Sequence, residues 1–284
     1  MDSNPEIGRS IMAGAIRTNY HDRDGQPDGD GSSARPLLMI HGSGPGVSAW
    51  ANWRLNIDAL AQGRRVIAPD MVGFGFTDRP EGAVYGKELW VRHLADFLDA
   101  LGIAQVDLVG NSFGGALALA FAIAHPERVG RLVLMGSAGL SFPLTEGLDA
   151  VWGYSPSIAA MRRLLDVFAF DRGLVSDELA ELRYRASIRP GFQESFAAMF
   201  PAPRQNGVDA LASEEAAIAA LPHRALIIHG REDRVIPPET SQRLFALIAD
   251  AELHMFGRCG HWTQIEHADR FNRLVDDFLR DGSR

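Results

Sequence analysis

Val106-Asp107-Leu108-Val109-Gly110-Asn111-Ser112-Phe113-Gly114-Gly115-Ala116-Leu117-Ala118-Leu119-Ala120-Phe121-Ala122 is the stretch on which the reading of the fold turns. Its first four residues form a short apolar run, the pattern of a buried strand. Its last eight read as a helix of small and apolar residues packed closely on a sheet. Between them, Gly110-Asn111-Ser112-Phe113-Gly114 is a G-x-S-x-G turn. A serine on so sharp a strand-to-helix turn has its hydroxyl lifted above the sheet, and glycines on either side let strand and helix approach without a Cβ clash. Ser112 is therefore a candidate nucleophile. Taken by itself, it is also an ordinary serine in a glycine-rich turn.

The surrounding chain repeats the same alternation. Short apolar runs at 37–40, 65–68, 106–109, 131–135, 225–228 and 252–256 read as strands. Helical periodicity is clearest at 89–101, 115–124, 241–248 and 271–279. Such alternation predicts an α/β fold with a mostly parallel sheet and helices on both faces. Residues 14–21, followed by an Asp/Gly-rich segment at 22–33, predict an edge hairpin with a polar loop. The alternation breaks between about residues 140 and 208, where helical patterns at 157–168, 176–186 and 192–199 occur without a convincing strand. We read 140–207 as a helical cap inserted between two parts of one core, 1–139 and 208–284. No internal repeat or low-complexity segment is evident.

An activated serine needs a base to take its proton and an acid to orient and charge-balance that base. Asp233 lies in His229-Gly230-Arg231-Glu232-Asp233-Arg234-Val235-Ile236-Pro237, directly beyond a strand. His261 lies in Gly257-Arg258-Cys259-Gly260-His261-Trp262, beyond the next. Serine, then aspartate, then histidine, each on the loop after a strand, is an order in which distant positions converge on one sheet edge. Glu232 competes with Asp233 for the acid role, and His261 is one of nine histidines. The conjunction of three loops in order favours the triad. An oxyanion needs pre-aimed donors. His41-Gly42-Ser43-Gly44-Pro45-Gly46 follows the strand at 37–40, which puts the backbone amides of Ser43 and Phe113 forward as the pair. No G-K-[ST] follows that loop, so it is not a phosphate cradle.

Composition narrows the partners. The 284 residues carry a net charge of −8, with 46% hydrophobic and 23% charged residues, which suits an ordinary globular protein. The absence of a Lys/Arg-rich block argues against nucleic acid or an anionic membrane surface. The one cysteine, Cys259, rules out an intrachain disulfide or a cysteine-based zinc site and reads as structural. No H-E-x-x-H or comparable ligand cluster occurs, so neither metal nor cofactor is expected. No signal peptide and no apolar run near the ~20 residues of a membrane span are evident, and a cytoplasmic location is expected.

HGSGPGVSAWANWR (41–54), APDMVGFGFTDRP (68–80), GNSFGGALALA (110–120), LVLMGSAG (132–139), HGREDRVIP (229–237) and GRCGHWTQIEHADRFNRLVDDFL (257–279) together resemble the α/β-hydrolase superfamily. Within it they resemble the meta-cleavage product hydrolases of bacterial aromatic catabolism. The stretch ELRYRASIRPGFQESFAAMFPAP (181–203) is similar to the branch acting on ring-fission products of phenol and alkylbenzenes. The resemblance implies a C–C bond hydrolase for vinylogous 1,5-diketones, the 2-hydroxy-6-oxo-2,4-dienoates. The products are 2-hydroxypenta-2,4-dienoate and a carboxylic acid.

A carbon leaving group is poor until the dienol ketonises, so a proton must first reach the dienoate carbon, with His261 as the implied shuttle. Ser112 then attacks the C6 carbonyl or helps activate water. The resemblance further implies Arg189 as the carboxylate-binding arginine, with Asn111 and Asn52 at the same end, Gly42 among the substrate contacts and Trp262 as a wall. Without it, Arg189 is a surface arginine of the cap, Asn111 a turn residue and Trp262 ordinary core. Ala138, Leu148, Trp152 and Val235 are the candidates for the apolar acyl pocket, and Trp152 suggests a small alkyl group rather than a phenyl ring. A homo-oligomer, dimer or larger, is implied as well. A carboxylesterase of the same fold would use the same triad but has no need of Arg189, Asn111 and Asn52. A ligand receptor of this fold would need no turnover at all. An aspartate in place of Ser112, as in the dehalogenases and epoxide hydrolases of this fold, is absent.

Overall fold

The computed structural model describes residues 4–25 and 34–281. Eight strands form one sheet: β1 (Arg9–Ala13), β2 (Ile16–Arg23), β3 (Leu37–Ile40), β4 (Val66–Pro69), β5 (Val106–Asn111), β6 (Val129–Met135), β7 (Ala225–Gly230) and β8 (Ala251–Phe256). Their order is β1-β2-β4-β3-β5-β6-β7-β8. The first two pairings are antiparallel and all the rest parallel, so the hairpin closes one edge of a parallel sheet. The hairpin begins earlier than the sequence suggests. Arg9–Ala13 is its outer strand, exposed enough that its alternation is weak, and the chain reverses at Gly14 with φ of 57°. The expected polar loop lies largely at 26–33, outside the described residues.

Central strands β3 to β7 are buried on both faces, which is why they read as unbroken apolar runs rather than alternating ones. Leu38, Ile40, Leu108, Leu132 and Ile227 point to one side, where helices Lys87–Ala100 and Phe113–Ala124 cover them. Leu37, Met39, Val109, Val133 and Ile228 point to the other, against Trp53 and the helix Ala268–Arg280. The sequence-predicted α/β-hydrolase architecture is thus present in full: a mostly parallel sheet with helices on both faces.

Strand order reverses at β3, which lies between β4 and β5. The loops leaving β3 and β5 therefore part around a crevice at the carboxyl edge of the sheet, where ligands of open α/β sheets bind. Between β6 and β7 the described chain contains helices and no strand: Glu146–Trp152, Ile158–Phe168, Asp177–Ser187 and Phe192–Met199 form the cap over that edge, followed by Gln205–Leu211 and Glu215–Ala219. We propose residues 140–207 as its limits. Among the described residues, no helix is long and apolar enough to cross a membrane.

Candidate active site

β5 ends at Asn111, and Ser112 takes φ 55° and ψ −113° before the helix Phe113–Ala124 begins. A non-glycine residue in that region carries strain of order 1–3 kcal/mol and needs neighbours to hold it. Ser112 N–H donates to Met135 O at 2.9 Å, while Ser112 O accepts from Gly115 N at 3.0 Å and Ala138 N at 3.1 Å. The helix start lies directly on the end of β3: a Cβ at Gly114 would collide with the Ile40 carbonyl. Gly110 is required by the helix start itself, since a Cβ there would collide with the Gly114 carbonyl. The first-turn amide of Phe113 has no intrahelical acceptor, as at any helix N-terminus.

Asp233 follows β7 and His261 follows β8, and the two side chains meet with His261 Nδ1 2.7 Å from Asp233 Oδ2. Asp233 Oδ1 accepts from the amides of Val235 at 2.7 Å and Ile236 at 3.0 Å. Burial by itself would raise the Asp233 carboxyl. The facing His261, with hydrogen bonding from His229 and His261, outweighs burial and holds it well below the ordinary carboxylate range. Glu232, its sequence competitor, turns away: its carboxylate accepts from Cys259 N at 3.0 Å and pairs with Arg231. Cys259 is buried and its thiol is pushed up to about 12 by that burial, so it is a packed thiol and not a thiolate.

The loop after β3 is braced by a residue that the sequence reading passed over. His41 is fully buried, with Nδ1 2.7 Å from Gly42 O and Nε2 accepting from Met71 N at 3.0 Å. Burial pushes it down to about 4, with the Gly42 bond opposing only in part, so the ring is neutral near pH 7. Gly42 N–H donates to Asn52 Oδ1 at 3.3 Å, and Ser43 Oγ accepts from Trp152 Nε1 at 3.0 Å. These bonds fix the strip of backbone that carries the Ser43 amide.

A single cavity is lined by Gly42, Ser43, Asn52, Asn111, Ser112, Leu148, Val235, His261 and Trp262 of the residues picked from sequence. Met161, Leu165, Phe168 and Arg183 from the cap line it too. Asn52 Nδ2 is buried there without a hydrogen-bond partner. Phe113 does not line the cavity with its side chain: its ring is buried edge-on against Trp90, with centroids 4.7 Å apart. Ala138 packs beneath the serine turn rather than facing the cavity, and Trp152 stacks on Phe200 at 4.4 Å. Both support the wall from behind.

Arg189 does not line the cavity. It lies beyond the end of the helix Asp177–Ser187, where it pairs with Glu6 at 3.2 Å and covers the Phe76 ring at 4.7 Å. Glu6 also accepts from Ser48 Oγ at 2.8 Å, so the pair ties the cap to the core. Arg183, inside that helix, faces the cavity instead. Its guanidinium donates to Pro45 O at 3.4 Å; the carboxylate that acts on it, Glu6, is itself paired with Arg189, and among the described residues none stands within ion-pair distance of Arg183. A partly buried cation whose nearby carboxylate is committed to another arginine is costly unless a bound anion completes it.

The family model of the alpha/beta hydrolase fold matches residues 35–268, and the chain belongs to that family. Within it the chain is a member of the meta-cleavage product hydrolases. It is 69% identical to the 2-hydroxymuconate semialdehyde hydrolase of Pseudomonas sp. (strain CF600), over 98% of this chain and 95% of that protein. It is 64% identical to the 2-hydroxy-6-oxo-2,4-heptadienoate hydrolase of Pseudomonas putida, over 97% of each. A solved structure of a meta-cleavage product hydrolase from Pseudomonas fluorescens, a serine-to-alanine variant complexed with acetates, superposes with a TM-score of 0.94. Identity to it is 60%, covering 99% of this chain and 100% of that one.

Proposed function

We propose that this chain hydrolyses a C–C bond of 2-hydroxy-6-oxo-2,4-dienoates, 2-hydroxymuconic semialdehyde or its 6-alkyl analogues, to 2-hydroxypenta-2,4-dienoate and a carboxylic acid. The observation that carries this reading is Arg183. An arginine with no directly paired carboxylate shares one cavity with Asn52, Asn111, Ser112 and His261, as an acidic ketone requires and a neutral ester does not. The identity to relatives that bear these substrates in their names supports the same reading.

In this reading Arg183, Asn52 and Asn111 hold the carboxylate and the 2-oxygen. The 2-hydroxyl proton leaves as a proton arrives at C5 through His261, which makes C5–C6 a bond that can break. Ser112 Oγ, its proton taken by His261, adds to C6, and the oxyanion sits on the amides of Phe113 and Ser43. Collapse breaks C5–C6; the electron pair runs through C4 and C3 to the 2-oxygen, which takes a proton. Water then cleaves the acyl-serine. Asp233 stays ionised and balances the imidazolium. Leu148, Val235, Met161 and Leu165 suit a small acyl group, so the 6-methyl dienoate is turned over better than the 6-phenyl one. We take the acting form to be a cytoplasmic homo-oligomer.

The test is bleaching of the yellow dienoate against release of p-nitrophenol from simple esters. The dienoate should win in kcat/KM by at least 100-fold, and Ser112→Ala should lose at least 1000-fold in kcat, the scale of losing an activated nucleophile. Esters turned over as well as the dienoate would make this a carboxylesterase.

A further inference from the structure

Behind Asp233 lies a second layer of hydrogen bonds that the reaction as described does not use. His229, near the end of β7, and Ser241, in the helix Pro238–Leu247, are both wholly inaccessible to solvent. His229 Nε2 stands 3.1 Å from Asp233 Oδ2 and 3.1 Å from Ile236 O. His229 Nδ1 stands 2.6 Å from Ser241 Oγ. An ionised carboxylate and a backbone carbonyl can only accept, so Nε2 carries a proton shared between them. Nδ1 then accepts a hydrogen bond from the Ser241 hydroxyl, and the ring is fixed in one tautomer and one orientation.

Asp233 is thus held at four points: two amides on Oδ1, and His261 and His229 on Oδ2. The amides alone leave the carboxylate free to pivot about its Cγ. A donor on Oδ2 from the side away from the cavity removes that freedom. We propose that His229, oriented by Ser241, is a positioning residue that keeps Asp233 Oδ2 aimed at His261 Nδ1 through successive proton transfers. The inference rests on the Ser112–His261–Asp233 reading. It goes beyond that reading because it assigns work to a residue that touches neither substrate nor reacting atoms. The chemistry gives it a reason: His261 must deliver a proton to carbon and later serve the serine and water, so its orientation has to survive several changes of charge.

Three variants test it by steady-state kinetics and by the low-field proton resonance of the His261–Asp233 hydrogen bond. His229→Phe fills the space and removes both nitrogens; kcat should fall at least 20-fold with KM within twofold, and the low-field resonance should move or broaden. His229→Gln keeps an N–H donor and should restore kcat to within fivefold of the parent. Ser241→Ala should lower kcat several-fold and shift the resonance. A folded His229→Phe with unchanged kcat and resonance overturns the proposal, as does a loss expressed mainly in KM. If His229→Phe does not fold, Ser241→Ala decides: unchanged kcat and resonance overturn it. Ser112→Ala is run in parallel. Turnover by that variant overturns the triad and this inference together, whereas a dead Ser112→Ala beside fully active His229 and Ser241 variants overturns the inference alone.

Discussion

Phe168 and His261 are joined twice: His261 N–H donates to the Phe168 carbonyl at 2.7 Å, and the two rings stack with centroids 5.9 Å apart. Phe168 is the last residue of the cap helix Ile158–Phe168, and its ring also stacks on Trp262 at 5.0 Å. The cap therefore sets the orientation of the candidate base as well as covering it. Phe168→Ala keeps the backbone bond but removes the ring, at a cost of about 3–4 kcal/mol in stability for a buried phenylalanine. We expect kcat to fall about tenfold or more, checked by urea unfolding alongside dienoate turnover. A variant that loses stability and keeps kcat would separate the cap from the base.

Arg183 and Arg189 give a sharp contrast, since the two lie on one stretch of cap and only one faces the cavity. Arg183→Gln should raise KM for the dienoate at least tenfold, because it removes the charge that meets the carboxylate. Arg189→Gln should leave KM within twofold and instead weaken the link to Glu6, lowering the thermal midpoint by a few degrees. Glu6→Gln should match Arg189→Gln. Steady-state kinetics and thermal unfolding on the three variants check both halves.

Gly136, directly after β6, has φ of 48°, and a Cβ there would come within 3.4 Å of both Asp233 Oδ2 and the His261 ring. Gly136→Ala combines backbone strain of about 1–2 kcal/mol with a methyl in direct contact with the pair that must stay aligned. The expected outcome is a modest loss of stability and a disproportionate loss of kcat, tenfold or more, read from kcat against the unfolding midpoint. Loss of stability alone would mean that the pair has room to give.

Legibility in the sequence followed the strength of the physical pattern. Strands β3 to β7 announce themselves because burial on both faces makes them continuous apolar runs, and the serine turn because only small residues fit so close a crossing. Arg9–Ala13 was hidden by its exposed, polar-rich edge position. The resemblance points to Arg189, yet helical phase points to Arg183: Leu179, Ala180, Arg183, Ala186 and Ser187 fall on one stripe of the helix Asp177–Ser187. Ala180, Ala186 and Ser187 are buried, and Leu179 and Arg183 line the cavity. Trp152 and Ala138 lie next to the right loops, but their side-chain directions depend on packing partners, Phe200 and the serine turn, that no local pattern encodes. The partners of His41 and His229 likewise lie on other segments.

Buried histidines should set the acid sensitivity of the fold. His41 and His93 are both pushed down to about 4, in each case chiefly by burial, and His93 is further lowered by His41. His93 is held neutral by geometry as well, with Nε2 2.8 Å from Thr18 Oγ1 and Nδ1 accepting from Val72 N at 3.2 Å. As pH falls from about 6.5 towards 4, the unfolded chain takes up two protons that the native fold refuses, and stability drops. Asp70 works in the opposite sense: burial raises it to about 6 against the bonds from Phe76, Ala49 and Asn19, so the native state takes up a proton before the unfolded chain does. His21 and His254, both lowered by burial, act with His41 and His93, while Asp107, raised by burial, acts with Asp70. The lowered histidines outnumber the raised carboxylates, so stability should fall as the pH drops from about 6 to 4. Urea midpoints measured across that range should fall. His93→Gln, which keeps a donor for Thr18, should make the fall shallower, and a fall unchanged by that substitution would place the acid-sensitive groups elsewhere.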